Sequence, residues 1–171
     1  IQVLPMLVSY VGRRSIGRNL AAKNNREDFV FFTDVDHVFQ EDVFEQIPIR
    51  FAEHLEASMI YPKQIMIHKT HAIGDEYIAR AESQDLPTID PNDFEPKNYN
   101  RAIGGVQIVR GDFARKYGYL DGDPKWQQPT DKPFSDFRDD IAYRKFCEQH
   151  GPIVGVDLPR IFRLRHSKTS Y

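Results

Sequence analysis

The sequence predicts an α/β fold in one domain, residues 1–171, and three observations support this prediction. Strand-like segments at 29–33 and 58–69 alternate with helical segments at 16–25 and 41–58, which is the pattern of a layered sheet. The run Phe-Val-Phe-Phe-Thr at 29–33 is almost continuously apolar, as in strands that are buried on both faces. The chain of 171 residues has the size of one domain with its own core.

The other segments extend this alternation. Pro48 is expected to divide the helical segment 41–58 into two short helices or to kink it. Two polar, proline-containing stretches, 70–100 and 121–134, are expected to be largely irregular and to flank the functional site. The other predicted elements are a strand at 1–11, a short helix at 75–83, a strand at 101–111, a helix at 112–120 ending at Gly118, a helix at 135–151, and strands at 152–159 and 160–167.

Composition excludes several classes of function. A formal net charge of −2 is not that of a protein that coats nucleic acid, so no nucleic-acid partner is predicted. No apolar run is long enough for a transmembrane segment, although peripheral contact with a membrane stays open. A single cysteine, Cys147, cannot form an internal disulfide, which favours a reducing compartment and a cytoplasmic location.

The motif Asp34-Val35-Asp36 directly follows the apolar strand. Ligands of α/β sheets commonly bind beyond the carboxyl ends of the strands. Two carboxylates in one turn suit a hard divalent cation, which typically brings phosphate oxygens with it. Helix capping by Asp34 and solvation of Asp36 would be the structural alternative.

A second group of candidate residues lies near the end of the chain. His166 stands in a cluster of cations formed by Arg160, Arg163, Arg165 and Lys168. Such a cluster can neutralise a diphosphate, with the imidazole as a further metal ligand. Taken alone, the cluster is better explained as a solvated basic tail, and a binding role gains weight only in combination with Asp34 and Asp36.

Three carboxylates, Asp136, Asp139 and Asp140, stand at the start of the predicted helix 135–151. They complement the helix dipole, and one of them is a candidate general base for a hydroxyl nucleophile. Earlier in the chain, Arg18 lies on a helix that is expected to pack behind the Asp34 strand and hold its loop. Trp126, in the second irregular stretch, is a candidate either for stacking on a sugar ring or for anchoring its loop.

Three segments together resemble the nucleotide-sugar glycosyltransferases of the GT-A fold, and are similar to the large family-2 group. The first is GRNLAAKNNREDFVFFTDVDHVFQEDVFEQI, the second is GGVQIVRGDFARKYGYLDG, and the third is FRDDIAYRKFCEQHG with the later RLRHS. The resemblance covers roughly residues 12–55 and 101–168. It implies a Rossmann-like, mostly parallel sheet flanked by helices. The family's first strand and acidic loop are not visible before Ile1, so the resemblance leaves open a sheet without its first strand or strands and a chain that is a fragment.

The resemblance also implies a donor site. Asp34 and Asp36 would bind Mn or Mg together with His166, and the ion would bridge the diphosphate of a nucleotide sugar. The nucleotide would be UDP in preference to GDP. The other candidate donor-binding residues are Arg18, Gly104, Gly105 and Arg165.

An aspartate near 139 would accept the proton of an acceptor hydroxyl on a glycan or glycoconjugate, with inversion at the sugar carbon. The family places a Glu-Asp pair just before this helix, where this chain has Phe137-Arg138. The candidate bases are therefore Asp139, Asp140 and Asp136.

Two other functions remain open at this stage. The strand and its Asp-x-Asp motif also fit a haloacid-dehalogenase-like phosphatase, with Asp34 as nucleophile, Asp36 as acid and base, and Mg as cofactor. The departure at Phe137-Arg138 also leaves open a non-catalytic domain that binds carbohydrate or a protein partner.

Overall fold

The computed structural model describes residues 14–34, 36–70, 89–128 and 138–165, and these form five helices and eight strands. The helices are α1 (Arg14–Asn24), α2 (Asp42–Glu53), α3 (Gly111–Tyr117), α4 (Pro124–Gln127) and α5 (Asp139–Glu148), with a 3₁₀ turn at Pro91–Asp93. The strands are β1 (Phe29–Thr33), β2 (His37–Phe39), β3 (Met59–Pro62), β4 (Gln64–His68), β5 (Phe94–Asn98), β6 (Val106–Arg110), β7 (Ile153–Val156) and β8 (Ile161–Arg163).

The strands form two four-stranded mixed sheets. The first has the order β1-β6-β3-β7, in which β6 runs antiparallel to both β1 and β3, and β3 runs parallel to β7. The second has the order β2-β8-β4-β5, in which only β8 and β4 are parallel. The predicted mostly parallel, Rossmann-like sheet is therefore wrong, although the α/β class is correct.

The direction of β6 explains why that prediction failed. The first four residues of β6, Val106–Val109, are apolar except for Gln107, and all four are buried, as expected for any central strand. The fifth residue is Arg110. An apolar run identifies a strand that is covered on both faces, but it carries no information about direction. Alternation of strands and helices suggested parallel neighbours, whereas the pairing Ile60↔Ile108 is antiparallel.

Helices cover both faces of the first sheet. On one face, Phe32 and Val109 pack with Tyr119 and Tyr143, which come from the segment after α3 and from α5. On the other face, Ile108 packs with Phe51 of α2. A third apolar cluster, formed by Val43, Ile65, Ile67, Val106 and Ile161, lies between α2, the first sheet and the second sheet.

Helix α2 runs through Pro48 without a break, so the expected division into two helices is wrong. Its buried face, formed by Val43, Ile47 and Phe51, holds the helix against the sheets. Pro48 lies on the exposed side, where the Phe44 carbonyl that loses its partner can bond to water.

Strand boundaries differ from expectation in two places. The segment 58–69, for which the sequence predicts either one strand or two, forms the two strands β3 and β4. Strands β2 and β5 were not predicted, because β2 has three residues and β5 contains a proline and two charged residues. The predicted strand 1–11 and the predicted helix 75–83 lie outside the described residues.

Candidate functional site

Several polar residues meet at one edge of the first sheet. Thr33, the last residue of β1, is paired with Val106, the first residue of β6. Asp34 therefore leaves β1 beside the turn Gly104–Gly105 that leads into β6. The Asp34 motif and the glycine pair therefore lie side by side, although 70 residues separate Asp34 from Gly104 in the chain.

Asp34 is held by two arginines of α1. Its Oδ1 lies 2.9 Å from Arg18 Nη2 and 3.4 Å from Arg14 Nη1. Arg18 also donates to Thr33 O and to Gly104 O, each at 3.4 Å, so it ties the end of β1 to the glycine turn. The expectation that this helix holds the loop after β1 is confirmed. Among the described residues, Oδ2 of Asp34 has no hydrogen-bond or ion-pair partner.

Asp139 and Asp140 begin α5 and reach the same arginines. Arg14 Nε donates to Asp139 Oδ1 at 2.8 Å, and Arg14 Nη2 donates to Asp140 Oδ1 at 3.3 Å. Asp139 is 1% exposed, whereas the Asp140 side chain is 20% exposed. One guanidinium thus joins three carboxylates from two distant parts of the chain. It leaves Asp140 as the more accessible of the two helix carboxylates.

The glycine pair lets the Asp140 carboxylate and the His37 ring pack directly against its backbone. A methyl group on Gly104 would lie 2.6 Å from Asp140 Oδ2. One on Gly105 would lie 2.5 Å from His37 Cε1 and 3.4 Å from Asp34 Oδ2. Only glycine permits this approach, so the turn brings bare backbone between the Asp34 and Asp140 carboxylates.

Asp36 belongs to a separate ion cluster beside the first. His37 Nδ1 lies 2.8 Å from Asp36 Oδ1, and Arg163 Nε donates to Asp36 Oδ2 at 3.0 Å. Burial alone would raise the pKa of Asp36, but the adjacent His37 and Arg163 outweigh it and lower the pKa to about 2. Strands β2 and β8, which pair His37 with Arg163, hold this arrangement in place.

This pKa predicts a stability loss in acid. Because the folded-state pKa of Asp36 lies below its ordinary value of 3.8, ionised Asp36 stabilises the fold above pH 4, and this stabilisation disappears as the pH falls towards 2. We expect Asp36→Asn to lower the free energy of unfolding by about 2 kcal/mol at pH 7. Urea unfolding at several pH values measures this loss, and the difference in the free energy of unfolding between wild type and variant should shrink below pH 4. Asp93→Asn, at an exposed position, is the control. A loss of stability in Asp36→Asn that does not change with pH would contradict the stabilising role of the ionised Asp36 carboxylate.

The remaining predicted residues fall into three groups. Arg165 contacts Lys69 O at 3.4 Å and Glu95 at 3.7 Å, and within the described part of the chain it does not contact Asp34 or Asp36. His166 and Asp136 lie outside the described residues. The other predicted residues, Asp34, Arg18, Gly104, Gly105, Asp139 and Asp140, are all brought together.

A resident metal ion fits this arrangement only in part. Within the described residues there is no group of three His, Cys, Asp or Glu side chains that could hold one. Asp34 Oδ2 is a suitable hard oxygen ligand, but both carboxylate oxygens of Asp36 face His37 or Arg163.

Three residues at the site were missed in the sequence. Arg14 lies four residues before Arg18 on α1, so helical spacing was a signal that both point the same way. Gln107, fully buried on β6, donates to the Asp140 carbonyl at 3.0 Å and fixes the start of α5. Tyr119 accepts from Arg18 Nη1 at 3.0 Å, and burial raises the pKa of this phenol, so it stays neutral.

Trp126 lies away from this arrangement. It is 8% exposed and packs in the apolar cluster behind the first sheet, and its carbonyl accepts a hydrogen bond from Ser15 Oγ at 2.6 Å. The indole therefore anchors α4 against α1, which is the second of the two roles predicted for it.

Compared with known protein families, curated proteins and solved structures, the chain shows no significant match. None of the helices among the described residues is both long and apolar enough to cross a bilayer. What the chain does must therefore be inferred from the side chains at the edge of the first sheet.

Proposed function

We propose that the protein is a metal-dependent glycosyltransferase that moves a sugar from a nucleoside-diphosphate sugar, with UDP preferred to GDP, to an acceptor hydroxyl with inversion. The observation that carries the proposal is the convergence of carboxylates and arginines at Gly104–Gly105. The Asp140 carboxylate packs closely against Gly104, and Asp34, held by Arg14 and Arg18, lies close to Gly105. A group-transfer reaction between a hydroxyl and an anionic leaving group needs a base and a cationic surround.

Asp140 is the best placed base. Its Oδ1 is oriented by Arg14, its Oδ2 lies against the Gly104 backbone, and its side chain is partly exposed, unlike that of Asp139. In the proposed step, Asp140 takes the proton of the acceptor hydroxyl as that oxygen attacks the anomeric carbon. The bond from this carbon to the diphosphate oxygen breaks, and its electron pair leaves with the nucleoside diphosphate.

Asp139 has a supporting role. Its buried carboxylate orients Arg14 at 2.8 Å, and Arg18 Nη1 lies 3.8 Å from its other oxygen. Because an ionised carboxylate surrounded in this way has little access to solvent, it is suited to positioning the arginines. It is less suited to exchanging a proton with substrate.

Mn or Mg remains part of the proposal, with Asp34 and His166 as predicted ligands, whereas Asp36, the third predicted ligand, would have to leave its ion pairs with His37 and Arg163. The ion would supply positive charge for the diphosphate leaving group. Arg14 and Arg18 carry two positive charges against the carboxylates of Asp34, Asp139 and Asp140, so the ion would also offset the negative charge that an anionic donor would otherwise meet. A glycan or glycoconjugate would be the acceptor. The buried free thiol of Cys147 is compatible with the proposed cytoplasmic location.

Calorimetric titration with UDP and GDP, with and without Mn, tests this proposal. We expect UDP to bind only with Mn, and Asp34→Asn to weaken that binding by at least about tenfold, or about 1.4 kcal/mol. The loss is expected because Mn carries the diphosphate in this proposal, and the variant removes the ionised carboxylate of Asp34, whose Oδ2 is a candidate ligand for the ion.

Asp93→Asn is the matched control, since Asp93 is exposed and lies on the second sheet side of the molecule. Equal UDP affinity in wild type and Asp34→Asn would contradict the proposed site. Absence of nucleotide binding, together with beryllium fluoride uptake at Asp34, would favour the phosphatase alternative instead.

A further inference from the structure

A second polar depression lies along the same sheet edge, outside the site described above. It is a cavity of about 420 Å³, which falls in the usual size range of small-molecule sites. The six residues that line it are Lys63, Gln64, Asn98, Tyr99, Asp157 and Leu158. None of them takes part in the contacts of Asp34, Asp139 or Asp140.

The walls of this cavity are fixed by backbone hydrogen bonds. Lys63 N donates to Val156 O at 2.9 Å, and Tyr99 N donates to Lys63 O at 2.7 Å. Gln64 and Asn98 are opposite each other in the β4–β5 pair. Their side-chain amides also bond at 2.9 Å. The cavity is thus built where the two sheets join, and its walls stand on strands that are held by hydrogen bonds.

The lining suits an uncharged ligand rich in hydroxyl groups. Lys63 Nζ lies 3.3 Å from Asp157 Oδ2, so the one cation and the one anion compensate each other. The amides of Gln64 and Asn98 each offer both donors and acceptors. The half-buried Tyr99 ring and Leu158 supply apolar surface. A diphosphate would find no excess positive charge here.

Topology places this cavity in line with the candidate site. The first sheet has the order β1-β6-β3-β7. The residue pairing between these strands places four strand ends at the same edge of the sheet: the end of β1, the start of β6, the end of β3 and the end of β7. Asp34 follows β1, whereas Lys63 and Asp157 follow β3 and β7. The separation is two to three strand spacings, or about 10–14 Å.

One side chain lies close to both places. Arg163 pairs with Asp36 Oδ2 at 3.0 Å, and Tyr99 and Asp34 both lie within its electrostatic range. An extended ligand that follows this edge of the sheet would meet the glycine turn first and the cavity next.

We propose that this cavity is a carbohydrate subsite that holds a neutral sugar unit of the acceptor chain, remote from the unit that receives the transferred sugar. That the bound sugar belongs to an acceptor rests on the proposed glycosyltransferase function. The preference of the cavity for neutral sugars does not depend on that function.

Nuclear magnetic resonance titration of the ¹⁵N-labelled chain tests the subsite. The probes are neutral tetrasaccharides of β-linked glucose, α-linked glucose, N-acetylglucosamine and mannose. At least one of them should shift the backbone amide resonances of Lys63, Tyr99 and Asp157. Asn98→Ala should weaken that binding by about tenfold, while Asn100→Ala, an exposed asparagine outside the lining, should leave it unchanged.

The same samples separate this inference from the proposed function. A separate titration with UDP and Mn monitors the resonances of Asp34, Gly104 and Gly105. Tetrasaccharide shifts at the cavity without any UDP response would reject the transferase and keep the carbohydrate site. A UDP response without tetrasaccharide shifts would keep the transferase and overturn the subsite. Shifts of the cavity resonances by uridine alone, or equal sugar affinity in Asn98→Ala, would also overturn it.

Discussion

Asp140→Asn is expected to reduce the rate of sugar transfer by about 10²–10⁴-fold, the usual contribution of a positioned general base. The amide keeps the size of the carboxylate and can still accept from Arg14 at the Oδ1 position. It cannot take a proton from the acceptor hydroxyl. Turnover of the UDP-sugar that binds in calorimetry, measured as UDP release with acceptor present, gives the rate.

The variant should bind UDP with unchanged affinity, since Asp140 acts on the acceptor and not on the nucleotide. Its free energy of unfolding should change by less than about 1 kcal/mol, because the Asp140 ion pair is partly exposed. Transfer at the wild-type rate by a folded Asp140→Asn protein would exclude this carboxylate as the base. The remaining candidates would then be Asp139 and Asp136.

The neighbouring substitution, Asp139→Ala, is expected to act mainly on stability. Asp139 is almost fully buried and holds Arg14 Nε at 2.8 Å. Removing it leaves an arginine N–H without its acceptor and takes a negative charge from the first turn of α5. We expect a loss of about 3 kcal/mol in the free energy of unfolding, or roughly 6–12 °C in Tm.

Thermal and urea unfolding of Asp139→Ala and Asp140→Ala, side by side, provide a matched comparison. Both variants remove one carboxylate from the same helix turn and the same arginine, but only the first removes a buried one. Equal losses of stability in the two variants would contradict the division of roles between the adjacent aspartates.

Local patterns predicted much of this molecule. The apolar run of β1 ends at Thr33 as expected, and the helix that carries Arg18 packs behind it. The acidic start of α5 was also expected. These features follow from interactions within a few residues, namely side-chain periodicity, capping and the helix dipole, so a single sequence is enough to reveal them.

Strand direction and short edge strands were not predictable in the same way. Direction depends on which strands become neighbours, and the antiparallel placement of β6 between β1 and β3 is decided by packing on both faces. Strand β2 has only three residues, β5 contains a proline and two charged residues, and both are stabilised by their partners β8 and β4. Their formation is a property of the assembled sheet.

The sequence by itself determined which chemical groups are available: carboxylates after a buried strand, a glycine pair, arginines on one helix and an acidic helix start. Only the tertiary structure decided that Arg14 joins Asp34 to Asp139 and Asp140, although Arg14 and Asp139 are separated by 125 residues. It also decided that Arg165 contacts Glu95 instead. The physical reason is that an ion pair forms wherever packing of the sheets and helices brings opposite charges together. The distance between two charged side chains in the folded protein cannot be read from their separation in the sequence.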